Sequence, residues 1–350
     1  MTRGPKLWMA LSILLAGALL WGSPDSDTQS TLLYVGNSRE DDISIIDLGS
    51  LKLVGQIKLG AEQVHGLAAQ GDGRRLFVTT EADHALKIVD TTTNKIIGTV
   101  QLQGRPNQVA VTPDRKYVAV PIRDRDSVDV VDVSQRKIVK VLPIKEPHNT
   151  LNIGSNRYLY VSSMGSNEIN VIDLARMDYS AVVPVGGRPR PFVIAPDGNT
   201  MYVALANLHG FVIVDIAAKE VVQRIEMPAE HATIRPLHYE TPDTMTHGLG
   251  LTPDGSQLWV TSLRDDCVYI YDVKAKKITG RVVTGQGPNW IAFSPDGNYI
   301  CVSNADSNDV SIIDVKARLQ VARVKVGKVP KRLVAISVPV ASQTKGSPAR

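Results

Sequence analysis

The feature that most constrains this chain is an internal repeat. The phrase SPDGNYICVSNADSNDVSIIDVKARLQVARVKVG (294–327) returns as TPDGSQLWVTSLRDDCVYIYDVKAKKITGRVVTG (252–285) and APDGNTMYVALANLHGFVIVDIAAKEVVQRIEMP (195–228). It returns again as TPDRKYVAVPIRDRDSVDVVDVSQRKIVKVLPI (112–144), and weaker copies begin near Leu32, Gly71 and Ile153. Each copy reads as four short strands: an apolar run such as WIAFS before a P-D-G turn, then YICVSN, VSIIDV and LQVARVKV. Val and Ile fill the strands, and Gly, Asp, Asn and Pro mark the turns. Four-stranded units at a spacing of about 40 residues predict a β-propeller.

The third strand of every copy ends in an aspartate: Asp47, Asp90, Asp132, Asp173, Asp215, Asp272 and Asp314. Seven such strands predict seven blades. The carboxylates are expected to accept backbone N–H groups of the turn that follows, a structural duty. The chain ends fit this count. PKRLVAIS (330–337) matches the innermost strand PNQVAVTP (106–113), and LLYVGN (32–37) matches a second strand with no first strand before it. The N- and C-terminal strands are therefore expected to pair and close the ring. The fold class is all-β, a seven-bladed propeller over 31–338 with an insert at 229–243 and a flexible tail at 339–350.

Hydrophobic residues make up 43% of the 350, too many for a disordered chain. A formal charge of +4 permits attraction to anions without being a nucleic-acid signature. Arg3 and Lys6 precede an apolar run from Leu7 to Trp21, and polar residues follow from Ser23 to Ser30. That layout reads as a Sec-type signal over residues 1–30, which would place the chain in the periplasm or outside the cell. No clean A-x-A cleavage site is present and Pro24 would obstruct cutting, so an uncleaved anchor is the alternative. No other apolar run is long enough to span a bilayer. Cys267 and Cys301 fall on different strands of neighbouring blades and are expected to be buried, unpaired thiols. No C-x-x-C-H run marks the chain for covalent haem.

LYVGN, YLYVSS and YICVSN, each followed by a strand like VSIIDV, resemble the YVTN-repeat β-propellers, among them the YncE-like exported bacterial proteins. The resemblance covers about residues 32 to 338. It implies relation to the propeller folds of haem d1 nitrite reductase and the large subunit of methylamine dehydrogenase, and to surface-layer proteins, lyases and lactonases. The chain lacks the cytochrome c segment of a nitrite reductase. Such a repeat is a scaffold, so function is sought in the site.

One register position stands out. The residue seven before the P-D-G aspartate opens each innermost strand; in one blade Ser155 holds the aspartate's place. These residues are His65, Asn107, His148, Arg190, His247 and Asn289, and Lys331 joins them by matching VPKR to RPNQ. Innermost strands line the channel, so the seven are expected to ring one mouth. All are polar, three are histidines on the second, fourth and sixth blades, and two are cationic. His65, His148 and His247 could hold a divalent metal such as zinc, copper or iron with an open position. The same set could instead grip a carboxylate or phosphate. His84 and His209, in turns between second and third strands, are placed on the same face. So are His231, His238, Tyr239 and Glu240 of the insert, which could fold over the mouth as a lid.

Weaker candidates surround the ring. Arg105 and Arg188 precede ring members by two residues and could add positive potential. IRDRD (122–126) and SREDD (38–42) read as exposed turns, and Met164 and Met245 lie near the mouth. No G-x-S-x-G, Walker-A or G-x-G-x-x-G run is present. Three functions follow. The first is an exported propeller binding a small anionic ligand or a protein partner at its His-rich mouth. The second is a periplasmic metal-dependent enzyme, a lyase, hydrolase or oxidoreductase, for which Glu230 and Glu240 are the nearby carboxylates. The third is single-stranded DNA binding, carried by resemblance alone. Aromatics are 5% of the chain and Trp290 is the one tryptophan beside the ring, which argues against nucleic acid.

Overall fold

The computed structural model describes residues 29–152, 157–228 and 244–339, together with Met1. The expected leader, Ser155, Glu230, the insert 229–243 with His231, His238, Tyr239 and Glu240, and the tail from 340 onward lie outside the described residues.

Within these residues the repeat dictates the structure. Seven four-stranded antiparallel sheets stand around an axis. Six are built from consecutive strands. In blade 2, for example, Val64–Ala69 runs innermost and is followed outward by Arg75–Thr80, Ala85–Asp90 and Lys95–Gln101. Blade 1 is composite. Its inner strand Pro330–Pro339 pairs antiparallel with Gln29–Asn37, with Leu33 opposite Ala335 and Val35 opposite Leu333. The chain ends thus close the ring as expected, and blades 2 to 7 follow in chain order.

Burial explains why the strands read as they do. Second and third strands are buried along nearly their whole length, as in Arg75–Thr80 and Asp42–Asp47. Each sheet has a neighbour on both faces, so the apolar run is continuous rather than alternating. Fourth strands face water and are exposed or half-buried over most of their length, as in Lys52–Lys58, where Ile57 alone is buried. The core is correspondingly a ring of layers. Seven hydrophobic clusters each join two adjacent blades, one holding Tyr34 and Ile45 of blade 1 against Leu67 and Val78 of blade 2. Cys267 and Cys301 are buried and unpaired as expected, and burial pushes the Cys267 thiol up to about 12.

All seven third-strand aspartates do what their position predicts. Asp47 Oδ1 accepts the N–H groups of Gly49 and Ser50, and Asp90 Oδ1 those of Thr92 and Thr93. Asp132, Asp173, Asp215, Asp272 and Asp314 take the corresponding turn N–H groups in their own blades. One expectation is corrected. SREDD is not wholly an exposed turn: Asp42 is fully buried and accepts from Asn37 Nδ2, with Lys58 Nζ 3.0 Å away. It opens a third strand, where the blade interface covers it.

Candidate functional site

Six ring residues are aimed by the same device. In blade 2, Val64 pairs with Thr80 and Gly66 with Thr79, so His65 is an extra residue in the inner strand. Asn289 is extra in blade 7 and Lys331 in blade 1. The register also shifts across His148, Arg190 and His247. A bulge frees one residue from the ladder and turns its side chain, here toward the channel. Asn107 is the exception. The ladder of blade 3 breaks between the Pro106–Ile122 bridge and the short strand Ala110–Val111, and Asn107 lies in the gap.

In four of the six bulged blades a hydroxyl one residue before the end of the second strand bonds the bulge, while Gly36 and Ala204 hold that place in blades 1 and 5. Thr79 Oγ1 accepts from Gly66 N at 2.6 Å and donates to Asn107 O of the next blade at 2.7 Å. Ser303 bonds Trp290 N and Lys331 O in the same way. Ser162 and Thr261 accept from Asn149 N and Gly248 N. These are the hydroxyl positions of the LFVTT, YLYVSS and YICVSN runs. Backbones meet closely here: a Cβ on Gly248 would stand 2.9 Å from Asn289 O.

The bulges converge on one cavity of about 900 Å³. Six of the seven ring residues line it: His65, Asn107, His148, Arg190, His247 and Lys331. Asn289 is fully buried behind them. The rim is supplied by inter-strand turns, including Arg39, Glu81, Arg105, Arg123 and Glu146. Part of SREDD and IRDRD therefore faces the cavity. Two rim carboxylates are engaged by basic side chains. Glu81 meets both His65 Nδ1 and Arg105 Nη2, and Glu146 pairs with Arg188 at 3.2 Å. Burial works to raise the Glu81 pKa, but His65 and Arg105 prevail and hold it well below the usual carboxylate range.

The inner end of the cavity is cationic and largely dry. Arg190 is 3% exposed and His148 4%. Burial holds His148 well below its ordinary pKa, and the positive charges of Arg190, His247, Arg332 and His65 add to that. Burial also lowers His65; Glu81 opposes this, and Arg332 and Lys331 reinforce it. His247 Nδ1 lies 3.0 Å from Asn289 O. A carbonyl only accepts, so this nitrogen carries the proton. The rings of His148 and His247 meet edge to face at 6.2 Å. His148 Nδ1 is buried with no hydrogen-bond partner among the described residues, a rare state that a ligand or water relieves.

The three candidate metal histidines thus divide into a His148–His247 pair and a His65 engaged by Glu81. Among the described residues, no group of three or more His, Cys, Asp or Glu side chains could hold a metal ion. His209 does not reach the cavity. It lies between blades, with Nε2 at 2.9 Å from Ser262 Oγ and 3.2 Å from Asp265, and burial lowers its pKa. His84 sits in a turn in a left-handed backbone conformation, away from the lining. Met164 is 1% exposed and packs inside. Sequence reasoning missed Arg332. It is one residue past the ring, 1% exposed, with its guanidinium 4.1 Å from the Trp290 ring centroid. Its signal was present in KVGKVPKR, a basic run whose last residue falls inside the closing strand.

Comparison with known proteins agrees with this architecture. The YNCE-like beta-propeller family model matches residues 70–241, and a seven-bladed lactonase propeller model matches 209–328. YncE of Escherichia coli is 26% identical over 51% of this chain and 52% of its own. NirF of Stutzerimonas stutzeri is 21% identical over 80% of this chain and 73% of its own. The chain spans about half the length of the first curated relatives it matches. Among solved structures, the periplasmic gluconolactonase PpgL of Pseudomonas aeruginosa superposes with a TM-score of 0.70 at 20% identity, covering 89% of this chain and all of that one. At that identity the likeness speaks for the fold. With its repeat, its seven closed blades and these matches, the chain is a seven-bladed β-propeller, similar over about half its length to the YncE-like ones.

Proposed function

We propose that this chain is an exported binding propeller that takes a small anion, carboxylate- or phosphate-like, into the histidine-lined mouth of its channel. The observation that carries the reading is the convergence of Arg190 and Lys331 with His65, His148 and His247 on one cavity. Buried cations hold anions strongly because little water competes with them. A mouth of this size accommodates a small metabolite or the charged terminus of a protein partner. Export is supported by the leader-like residues 1–30 and by the similarity to a periplasmic protein. No helix among the described residues is long and apolar enough to cross a membrane.

Calorimetric titration with sulfate, phosphate and oxalate tests the reading. Binding that weakens as salt is raised is expected. Absence of binding by all three at millimolar concentration contradicts it. A second reading is hydrolysis of a sugar lactone, favoured by the lactonase match over residues 209–328 and by the His148 imidazole, held below its ordinary pKa, in the same cavity as Arg190. Turnover of gluconolactone that is lost in His148→Gln and His247→Gln would favour it over simple binding. Metal-dependent chemistry would require a ligand beyond the His148–His247 pair, and metal analysis of untagged protein tests it. Single-stranded DNA binding is not favoured, because Trp290 stacks under Arg332 rather than offering its face to a base.

A further inference from the structure

Arg332 follows the ring residue of blade 1 and is held from two sides by blade 7. Its guanidinium lies over the Trp290 ring at 4.1 Å, and its Nη1 donates to Asn289 Oδ1 at 3.2 Å. Trp290 is itself fixed against His247, with ring centroids 5.7 Å apart. The stack and the hydrogen bond set both the position and the plane of the fork. The field of Arg332 is felt on two other blades, where it disfavours a proton on His65 in blade 2 and on His148 in blade 4. Arg332 is 1% exposed, and through Trp290 it adjoins His247, which lines the cavity.

Arg332 is not in the cavity lining, whereas Arg190 and Lys331 are. It therefore supplies charge from behind the lining while the other two supply contacts. Three permanent cations brought to the inner end of one cavity repel one another in a medium that screens poorly. A singly charged anion offsets part of that repulsion, and a compact doubly charged one offsets more.

Resting on the anion-binding reading above, we propose that Arg332 is a specificity-determining residue whose fixed charge makes this mouth prefer a compact dianion, of the dicarboxylate or the phosphate and sulfate type, over a singly charged anion. The test is calorimetry with sulfate, oxalate and formate, all fully ionised at neutral pH, on the native chain and on Arg332→Gln and Arg332→Lys. The native chain is expected to bind the better dianion at least about tenfold more tightly than formate. Arg332→Gln loses most of that preference while formate binding changes little, and Arg332→Lys restores most of it. Tighter sulfate binding marks the tetrahedral class as the natural ligand, and tighter oxalate binding the planar dicarboxylates. Native-like affinity and preference in folded Arg332→Gln would overturn the inference and leave anion binding intact. No binding of any anion by the native chain would remove the reading beneath it. A native-chain measurement guards against a variant that does not fold: a bound dianion must change the tryptophan emission that is lost in Trp290→Phe. Saturable binding with no such change also overturns the inference.

Discussion

The aspartate closing each third strand and the residue opening each inner strand both recur once per blade, yet the blades treat them oppositely. The aspartate keeps one identity in all seven copies, sits in a turn, and has its oxygens filled by backbone N–H groups. The ring position changes from His to Asn, Arg and Lys, and in six blades it is pushed out of the ladder by a bulge. The first position solves the same local problem seven times, so one residue type serves throughout. The second is released from pairing, so its chemistry is free to differ from blade to blade. In a propeller, a site is found where the repeat holds the backbone constant and lets the side chain vary.

The largest effect that would break this contrast is at Arg190. Arg190→Gln is expected to weaken sulfate or oxalate binding by about 10- to 100-fold, the worth of a buried charge-assisted contact, with no loss of melting temperature. A large drop in stability without a change in affinity would make Arg190 scaffold. Next comes the bulge itself. Gly248→Ala drives a methyl into the backbone of blade 7 and is expected to cost about 1–3 kcal/mol in chemical denaturation, with weakened binding as Asn289 and Trp290 shift. The turn aspartates should give the reverse pattern. Asp132→Ala is expected to cost about 1 kcal/mol, with anion affinity unchanged.

The smallest effect concerns Asp129, a fully buried carboxylate whose Oδ1 lacks a hydrogen-bond partner. Burial raises its pKa, and the bond from Gln103 N opposes this only in part. The folded state therefore binds this proton more tightly than the unfolded chain. Asp129 costs no ionisation penalty in acid, and its contribution to stability falls as pH rises above the ordinary carboxylate pKa. Relative to the native chain, Asp129→Asn should be more stable at pH 7 than at pH 3. Denaturant midpoints at the two pH values decide this, and an unchanged difference contradicts it.

Much of this was legible in the residues because the repeat imposes period, strand length and turn chemistry at once. The blade count came from the aspartates, and ring closure from the unmatched halves PKRLVAIS and LLYVGN. Six of the seven ring residues share a cavity, five of them because one alignment column maps onto one bulge position and Asn107 from a gap in its ladder. The bulge itself was not legible: in four blades the hydroxyl of Thr79, Ser162, Thr261 or Ser303 bonds it from the neighbouring strand, and a strand pattern does not reveal that contact. Arg332 was hidden for a related reason. It lies one residue out of the column, and its importance comes from Trp290 in the neighbouring blade rather than from its own repeat. The division of the histidines depends on Glu81, which approaches His65 from a turn 16 residues away.

The central claim is that this mouth is an anion site, and a crystal structure grown with oxalate or sulfate at saturating concentration tests it most directly. The account predicts the anion at the inner end of the cavity, within hydrogen-bond distance of Arg190 and Lys331 and beside His148. An anion bound only on the opposite face, or a mouth without it while calorimetry shows saturation, would contradict the account.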